Sequence, residues 1–157
     1  MGQAMSSAAT IKLTSPDFSG GSAVPKKYTC DGPNMNPRLR FDGVPKETKS
    51  LALIVDDPDA PGRTWVHWLV WNIDPNTKEI SENSSPRNAV QGTTDFGEAK
   101  YGGPCPPSGT HRYYFKIYAL DTTLPLSGSS KKAALEKAMQ GHILAQGSLM
   151  GTCSRNK

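Results

Sequence analysis

The sequence predicts a mainly β, loop-rich domain, and two observations support this prediction. Glycine and proline account for 15 and 13 of the 157 residues, a content that disfavours long helices. Residues 50–56 and 65–73 are apolar at successive as well as alternate positions, which is the pattern of central strands covered on both faces. A chain of this length buries roughly 70% of its unfolded surface, which is enough for one self-sufficient core.

The charge pattern argues against a nucleic-acid-binding protein. The formal net charge is +4, but lysines and arginines are spread along the chain with no run longer than a pair. The mild excess favours anionic small partners. The sequence has no stretch of about 18 apolar residues and no basic segment followed by an apolar one at its start. We therefore expect a soluble, cytoplasmic protein with no integral membrane segment.

No repeat or linker divides the chain, so we expect a single domain over residues 10–157 after a disordered start at residues 1–9. The first six residues match the loose pattern for myristoylation of Gly2, but a pattern this short arises by chance.

The cysteines are Cys30, Cys105 and Cys153. An odd number without zinc-type pairs suits free thiols in a reducing compartment. A bridge between Cys30 and Cys105 is the alternative that the sequence leaves open.

Three short strands are predicted before residue 42. Residues 10–13 and 38–41 alternate apolar and polar positions, and residues 24–28 form a short run between turns. Residues 29–37 (Thr-Cys-Asp-Gly-Pro-Asn-Met-Asn-Pro) concentrate turn formers, which predicts a shaped loop rather than a flexible linker.

An acidic, proline-rich loop follows the central strand at residues 50–56. Pro58 and Pro61 restrict the backbone around Asp57 and Asp59, so these carboxylates are held in place. The same sequence also suits a plain solvated turn. A site is favoured because the loop leads into the strand that carries His67, whose imidazole a carboxylate can orient.

The strand at residues 65–73 carries all three tryptophans. Strict alternation places two sets of side chains on opposite faces, Trp65, His67, Leu69, Trp71 and Ile73 against Val66, Trp68, Val70 and Asn72. His67 then has apolar neighbours and needs a hydrogen-bond partner, and the nearest acids in sequence are Asp57 and Asp59.

A long loop is predicted over residues 74–110, ending in Tyr-Gly-Gly-Pro-Cys-Pro-Pro-Ser-Gly-Thr. Its glycines allow close backbone approach and its prolines stiffen the path. The loop is therefore either a rigid connector or a way to aim backbone N–H groups at an anion.

Residues 111–120 are predicted to form a strand on which His111 and Tyr113 share a face. Alone, His111 is best explained as structural. Together with His67 and the two acids, it favours a site.

The C-terminal part changes character. Residues 127–130 (Ser-Gly-Ser-Ser) can cap a helix whose apolar positions recur at helical spacing from Ala133 to Met139, with Gly141 interrupting it. Residues 142–145 suggest another helical turn in which His142 is structural, and residues 149–152 suggest a terminal strand or coil.

Four motifs occur in order: Asp-Pro-Asp-Ala-Pro at 57–61, Trp-Val-His-Trp at 65–68, Gly-Gly-Pro-Cys-Pro-Pro-Ser-Gly at 102–109 and His-Arg-Tyr-Tyr-Phe-Lys-Ile-Tyr-Ala-Leu at 111–120. With them the sequence resembles the phosphatidylethanolamine-binding protein (PEBP) family, in particular its prokaryotic Raf-kinase-inhibitor-like branch. Residues 28–39, 95–103 and 142–152 extend the resemblance over nearly the entire chain.

This resemblance implies a large central antiparallel sheet packed on a smaller sheet, with short helices near the C-terminus. It implies a small surface pocket for phosphate-like or carboxylate anions, lined by Asp57, Asp59, His67, Gly103, Cys105, Pro106, His111 and Tyr113. The protein is then a non-catalytic binding protein without a cofactor. Its ligand is an anionic small molecule, a phospholipid head group or a phosphorylated partner, and a kinase or protease is the protein partner that the family suggests.

Two residues depart from the family's pattern. Cys153 stands where an aromatic residue usually follows Gly-Thr, which bears on terminal packing. Thr94 stands where asparagine usually precedes Asp-Phe, which bears on a loop hydrogen bond.

Two rival hypotheses use the same residues. One is a hydrolase with His67 or His111 as general base, or with Cys105 as a nucleophile activated by His111. The other is a metal site made of Asp57, Asp59 and the two histidines, which have acceptable ligand types but no recognised short spacing.

Overall fold

The computed structural model describes residues 9–155 and shows three layers, which are a three-stranded sheet, a six-stranded sheet and a helix. The elements are β1 (Ala9–Thr10), β2 (Lys12–Thr14), β3 (Leu39–Asp42), β4 (Ser50–Asp57), β5 (Trp65–Ile73), β6 (Glu79–Ile80), β7 (Val90–Gln91), β8 (Gly109–Leu120), α1 (Lys132–Met139) and β9 (Ile143–Arg155). A large sheet packed on a smaller one, with helical structure near the C-terminus, is confirmed. The described residues contain one α-helix rather than several.

The large sheet has the order β1-β9-β8-β4-β5-β7, and the small sheet has the order β2-β3-β6. The strand pairs of the large sheet are antiparallel except for β1 and β9, which run parallel and make that sheet mixed. Only Ile11 separates β1 from β2, so this segment joins one sheet to the other. The strand predicted at residues 10–13 is therefore divided between the two sheets.

Two apolar cores cover the faces of the large sheet. The first lies between the sheets and includes Leu13, Leu39, Phe41, Val55 and Phe115. The second lies under α1 and includes Ile54, Leu69, Trp71, Leu135 and Met139. All eight residues of β4 are buried, as the prediction of a central strand covered on both faces requires.

Strand β5 contains two bulges, and strict alternation along it was therefore wrong. One step along β4, from Val55 to Asp56, is matched by two residues of β5, which makes His67 the extra residue. A second irregularity lies near Asn72, whose φ is 56°. As a result Val66 packs in the core under α1, and Ile73 packs in the core between the sheets. Each side chain therefore lies on the face of the sheet opposite to the predicted one.

Residues 24–28 were predicted to be a strand, but Lys26–Tyr28 form a turn of 3₁₀-helix. Pro25 has a φ of −57°, and its carbonyl accepts the Tyr28 N–H at 3.0 Å. The Thr29 N–H closes the next turn on the Lys26 carbonyl at 3.0 Å. Local hydrogen bonding thus replaces pairing with a neighbouring strand.

The predicted helix at residues 133–139 is confirmed, but the predicted serine cap at its start is not. The hydroxyls of Ser127 and Ser129 bond each other at 2.8 Å, and no side chain caps α1. Gly141, with a φ of 82°, turns the chain after the helix. Residues 142–145 do not form a helical turn, because Ile143 and Ala145 pair with β8 at the start of β9.

The disordered start was expected over residues 1–9, but Ala9 begins β1. Residues 1–8, and with them the expected modification of Gly2, lie outside the described residues. Within residues 9–155, no helix has the length and apolar character needed to cross a membrane.

Candidate functional site

Asp57 and His111 form the centre of the candidate site. Asp57 ends β4, and His111 lies near the start of β8, the antiparallel neighbour of β4. The two side chains therefore meet where these strand ends lie side by side. The His111 Nδ1–H donates to Asp57 Oδ2 at 2.6 Å, and the two residues are 7% and 3% exposed. Since the ionised carboxylate only accepts, Nδ1 carries a proton and the opposite edge of the ring, at Nε2, remains for other contacts.

The acidic loop is ordered but only one of its two predicted acids faces the histidine. Asp57 Oδ1 accepts the Asp59 N–H at 2.8 Å, which closes the turn. Asp59 itself binds Arg112, accepting from its backbone N–H and Nε at 2.9 Å and from its Nη2 at 2.8 Å. These hydrogen bonds from Arg112 lower the pKa of Asp59 to about 2. Asp59 is therefore an ionised anchor for Arg112.

His67 is placed by the bulge in β5 and by Gly102. Its ring Nδ1 donates to the Gly102 carbonyl at 2.6 Å, and the Gly102 N–H donates to the His67 carbonyl at 2.9 Å. Burial, with 3% of the residue exposed, lowers the pKa of His67 although the carbonyl contact opposes this. The expectation that a carboxylate orients this ring is wrong, because its direct partner is a backbone oxygen.

Tyr113 connects the two histidines. Its ring centroid lies 5.2 Å from that of His67 in an edge contact and 6.3 Å from that of His111 in a roughly parallel one. Tyr113 is 1% exposed, and burial, with the Asp57 charge nearby, raises its pKa well above the usual range. The phenol is therefore neutral.

The outer edges of both imidazoles have no hydrogen-bond partner among the described residues. No hydrogen bond within residues 9–155 reaches Nε2 of His67 or His111. Neither atom is among the buried side-chain atoms that lack a partner, so both contact solvent. The two ring edges flank the buried Tyr113, and the surface between them is called the cleft.

The end of the long predicted loop, residues 101–110, is held against the loop at residues 29–37. The Gly103 N–H donates to Asn34 Oδ1 at 2.8 Å, so it is not free to bind an anion. A Cβ on Gly103 would lie 2.2 Å from the Tyr28 carbonyl oxygen, so only glycine fits there. The Cys30 N–H donates to the Pro104 carbonyl at 3.1 Å.

A disulfide joins Cys30 to Cys105, with their Cα atoms 5.4 Å apart. The expectation of three free thiols is wrong for this pair, and the bridge that the sequence left open is present. Cys153 is a buried free cysteine. The disulfide removes the reason to expect a reducing compartment, and in the oxidised protein Cys105 has no thiolate to act as the proposed nucleophile.

Phe96, which the sequence reasoning did not single out, borders His67. Its ring lies 5.2 Å from that of His67 and 5.7 Å from that of Trp65. Thr94 Oγ1 accepts the Phe96 N–H at 3.2 Å and donates to the Glu98 carbonyl at 3.0 Å, so threonine still supplies loop hydrogen bonds at this position. The sequence feature that could have identified Phe96 is a phenylalanine within an otherwise polar turn.

Five surface cavities with volumes of about 390–700 Å³ are lined by other residues, none of them in the predicted set. The part of the chain that the structure describes has no group of three or more His, Cys, Asp or Glu side chains arranged to hold a metal ion. The metal hypothesis is therefore unsupported by the described residues.

The predicted residues are thus only partly brought together. Asp57, His67, His111 and Tyr113 form one cluster, while Gly103 and Cys105 belong to the adjoining loop wall. Asp59 points to Arg112, and Pro106 is buried without a hydrogen bond or ring contact to either histidine. Sequence reasoning missed four contributors, Asn34, Phe96, Gly102 and Arg112.

Comparisons with known proteins agree with this architecture. A sequence model described as phosphatidylethanolamine-binding protein matches residues 14–154. A UPF0098 protein of Methanothermobacter thermautotrophicus is 49% identical over 151 residues, which cover 92% of this chain and 99% of that protein. A UPF0098 protein of Chlamydia muridarum is 48% identical over 147 residues, which cover 90% and 97% of the two chains.

Two crystal structures show the same fold. The putative phosphatidylethanolamine-binding protein homolog CT736 of Chlamydia trachomatis has a TM-score of 0.89 and 44% identity, covering 95% of this chain and all of that one. E. coli YbcL, described as a member of the mammalian PEBP family, has a TM-score of 0.88 and 34% identity, covering 94% and 100%. The chain belongs to the phosphatidylethanolamine-binding protein family, and this membership supports a role as a binding protein.

Proposed function

We propose that the cleft between His67 and His111 binds a phosphate-like or carboxylate anion without catalysis. The observation that supports this most directly is the pair of open Nε2 edges, each on a ring whose Nδ1 is fixed by the protein. An imidazole held in this way presents a hydrogen-bonding atom in a fixed direction. Hydrogen-bonding groups that are already fixed lose little conformational entropy when a ligand binds.

The tautomers determine how the anion binds. In each neutral ring Nδ1 carries the proton, so Nε2 accepts rather than donates. Contact with a fully ionised anion therefore requires a proton, taken up by the ring or carried by the ligand. Burial lowers the pKa of His67 and so opposes a proton on its ring, until a bound anion compensates the charge. Affinity should rise as the pH falls from 8 towards 6.

The chemistry of the cleft does not depend on the source of the anion. A phospholipid head group and a phosphorylated side chain of a kinase or another partner both present a phosphate to it. Regulation of a kinase or protease would need protein surfaces outside the cleft.

A titration of isotopically labelled protein with inorganic phosphate tests the proposal. We expect saturable shifts of the His67 and His111 ring signals and of the Trp65 indole signal, with tighter binding at pH 6 than at pH 8. The exposed His142, which pairs with Asp121 away from the cleft, supplies the matched control. His67→Ala should abolish the shifts and His142→Ala should leave them unchanged. Ring signals that stay in place with millimolar phosphate, or that respond equally in His67→Ala, would contradict an anion site here.

A further inference from the structure

Phe96 is the exposed large apolar side chain of the described residues, with 42% of its surface accessible. A single exposed apolar residue is ordinary on a protein surface. Phe96 differs because one side of its ring packs against the candidate site. Its centroid is 5.2 Å from the His67 ring, and two ring carbons lie 2.5 Å from the position that a Cβ on Gly102 would occupy. The ring therefore rests on the same glycine that binds His67.

The turn that carries Phe96 is held by hydrogen bonds on every side. The Gly97 N–H donates to the Thr94 carbonyl at 2.9 Å, and the Thr94 N–H donates to the Glu98 carbonyl at 2.9 Å. The Asp95 N–H bonds the Val66 carbonyl at 3.1 Å, and Asp95 Oδ2 accepts the Val66 N–H at 2.8 Å, which ties the turn to β5. Phe96 is thus exposed at a fixed position.

The surroundings of the ring combine apolar and cationic groups. The Trp65 ring meets Phe96 edge-on with centroids 5.7 Å apart. The Arg63 guanidinium lies 5.4 Å from the centre of the Trp65 ring and pairs with Asp95. An apolar group placed on the exposed side of Phe96 therefore remains close to His67, whose ring would contact the proposed anion.

This arrangement indicates which anions fit, provided that the proposed function is correct. We propose that Phe96 forms an apolar wall of the cleft, and that the preferred ligand is an anion carrying an apolar group next to its charge, such as a phosphate monoester of an alkyl or aryl alcohol. Free phosphate fills the position between the histidines but leaves the open side of Phe96 in water. An apolar substituent that removes roughly 55 Å² of apolar surface from water tightens binding about tenfold.

A ligand series with Phe96 variants tests the inference. Dissociation constants for inorganic phosphate, butyl phosphate and phenyl phosphate are measured from the His67 and His111 ring signals in the wild type, Phe96→Ala and Phe96→Leu. We expect the wild type to bind at least one ester about tenfold more tightly than inorganic phosphate. That ratio should fall to about one in Phe96→Ala and be largely kept in Phe96→Leu, since leucine retains an apolar surface.

The outcomes separate this inference from the function on which it rests. If all three ligands bind the wild type equally, the apolar wall is refuted and the anion site stands. If esters bind more tightly but the advantage survives in Phe96→Ala, another surface holds the substituent and the assignment to Phe96 is refuted. If no ligand binds, both proposals fail. A gain for both esters indicates alkyl phosphates such as those derived from lipids, and a gain for phenyl phosphate alone indicates an aromatic phosphate.

Discussion

Reduction of the Cys30–Cys105 disulfide should cost this protein much of its stability without unfolding it. The bridge spans 75 positions of sequence. By loop-closure entropy, a crosslink of that span stabilises the folded state by about 4.5 kcal/mol at 25 °C. The hydrogen bonds that Gly103 and Pro104 make to the opposing loop do not depend on the bridge. We therefore expect the native fold to persist with a lower free energy of unfolding.

The measurement is urea unfolding followed by tryptophan fluorescence, with and without a phosphine reductant. Reduction should lower the free energy of unfolding by about 2–5 kcal/mol. At about 2–4 °C per kcal/mol for a chain of this size, a loss of 4.5 kcal/mol lowers the Tm by roughly 9–18 °C. The double variant Cys30→Ser/Cys105→Ser should match the reduced wild type and ignore the reductant. Cys153→Ala should keep the response, because Cys153 is not bridged.

Two results would refute this reasoning. If alkylation and mass measurement find Cys30 and Cys105 as free thiols in protein purified under oxidising conditions, the bridge itself is wrong. If the bridge forms but its reduction changes the free energy of unfolding by less than about 1 kcal/mol, the loop-closure argument is wrong. In that case the contacts between the two loops already restrict the chain.

Two further predictions concern the site and the corner between the sheets. Because the fold lowers the pKa of His67 below its ordinary 6.5, the unfolded chain takes up the proton first as the pH falls. The free energy of unfolding should therefore decrease below about pH 6.5, and the difference between the wild type and His67→Gln should change with pH in urea titrations. A pH-independent difference would contradict this. Gly147→Ala should cost about 3 kcal/mol or more, since the new Cβ would lie 1.9 Å from the Ile11 carbonyl oxygen. Gly20→Ala, with its nearest atom at 3.8 Å, should change stability by less than about 0.5 kcal/mol, and equal losses in the two variants would refute the steric argument.

The residue pattern alone was sufficient for the central strands. Apolar side chains on both faces predicted β4 and β5, and period-two alternation placed His111 and Tyr113 on the same face of β8. The order of the motifs was sufficient for the family. These features follow from local geometry, since alternation of side chains in an extended strand does not depend on which strand becomes its neighbour.

Tertiary structure decided the hydrogen-bond partners. His67 is oriented by the Gly102 carbonyl, 35 positions away, because a bulge in β5 makes it the extra residue. Asp59 was expected to face the histidines and binds Arg112 instead. Residues 142–145 were expected to form a helical turn, but β9 begins at Ile143 because the chain pairs there with β8. Backbone and charged groups pair with whatever the fold brings near, and pairing over such separations leaves no mark in local periodicity.

The same distinction applies to the candidate site. The residue types alone establish which chemical groups are available, namely two histidines, a tyrosine and a carboxylate in a proline-rich loop. Only the tertiary structure decided that Nδ1 of each imidazole is occupied and Nε2 is open, that Cys30 and Cys105 are bridged, and that Phe96 borders His67. The physical reason is that residue type sets the chemistry of a side chain, whereas burial, protonation and direction are set by neighbours that are distant in the chain.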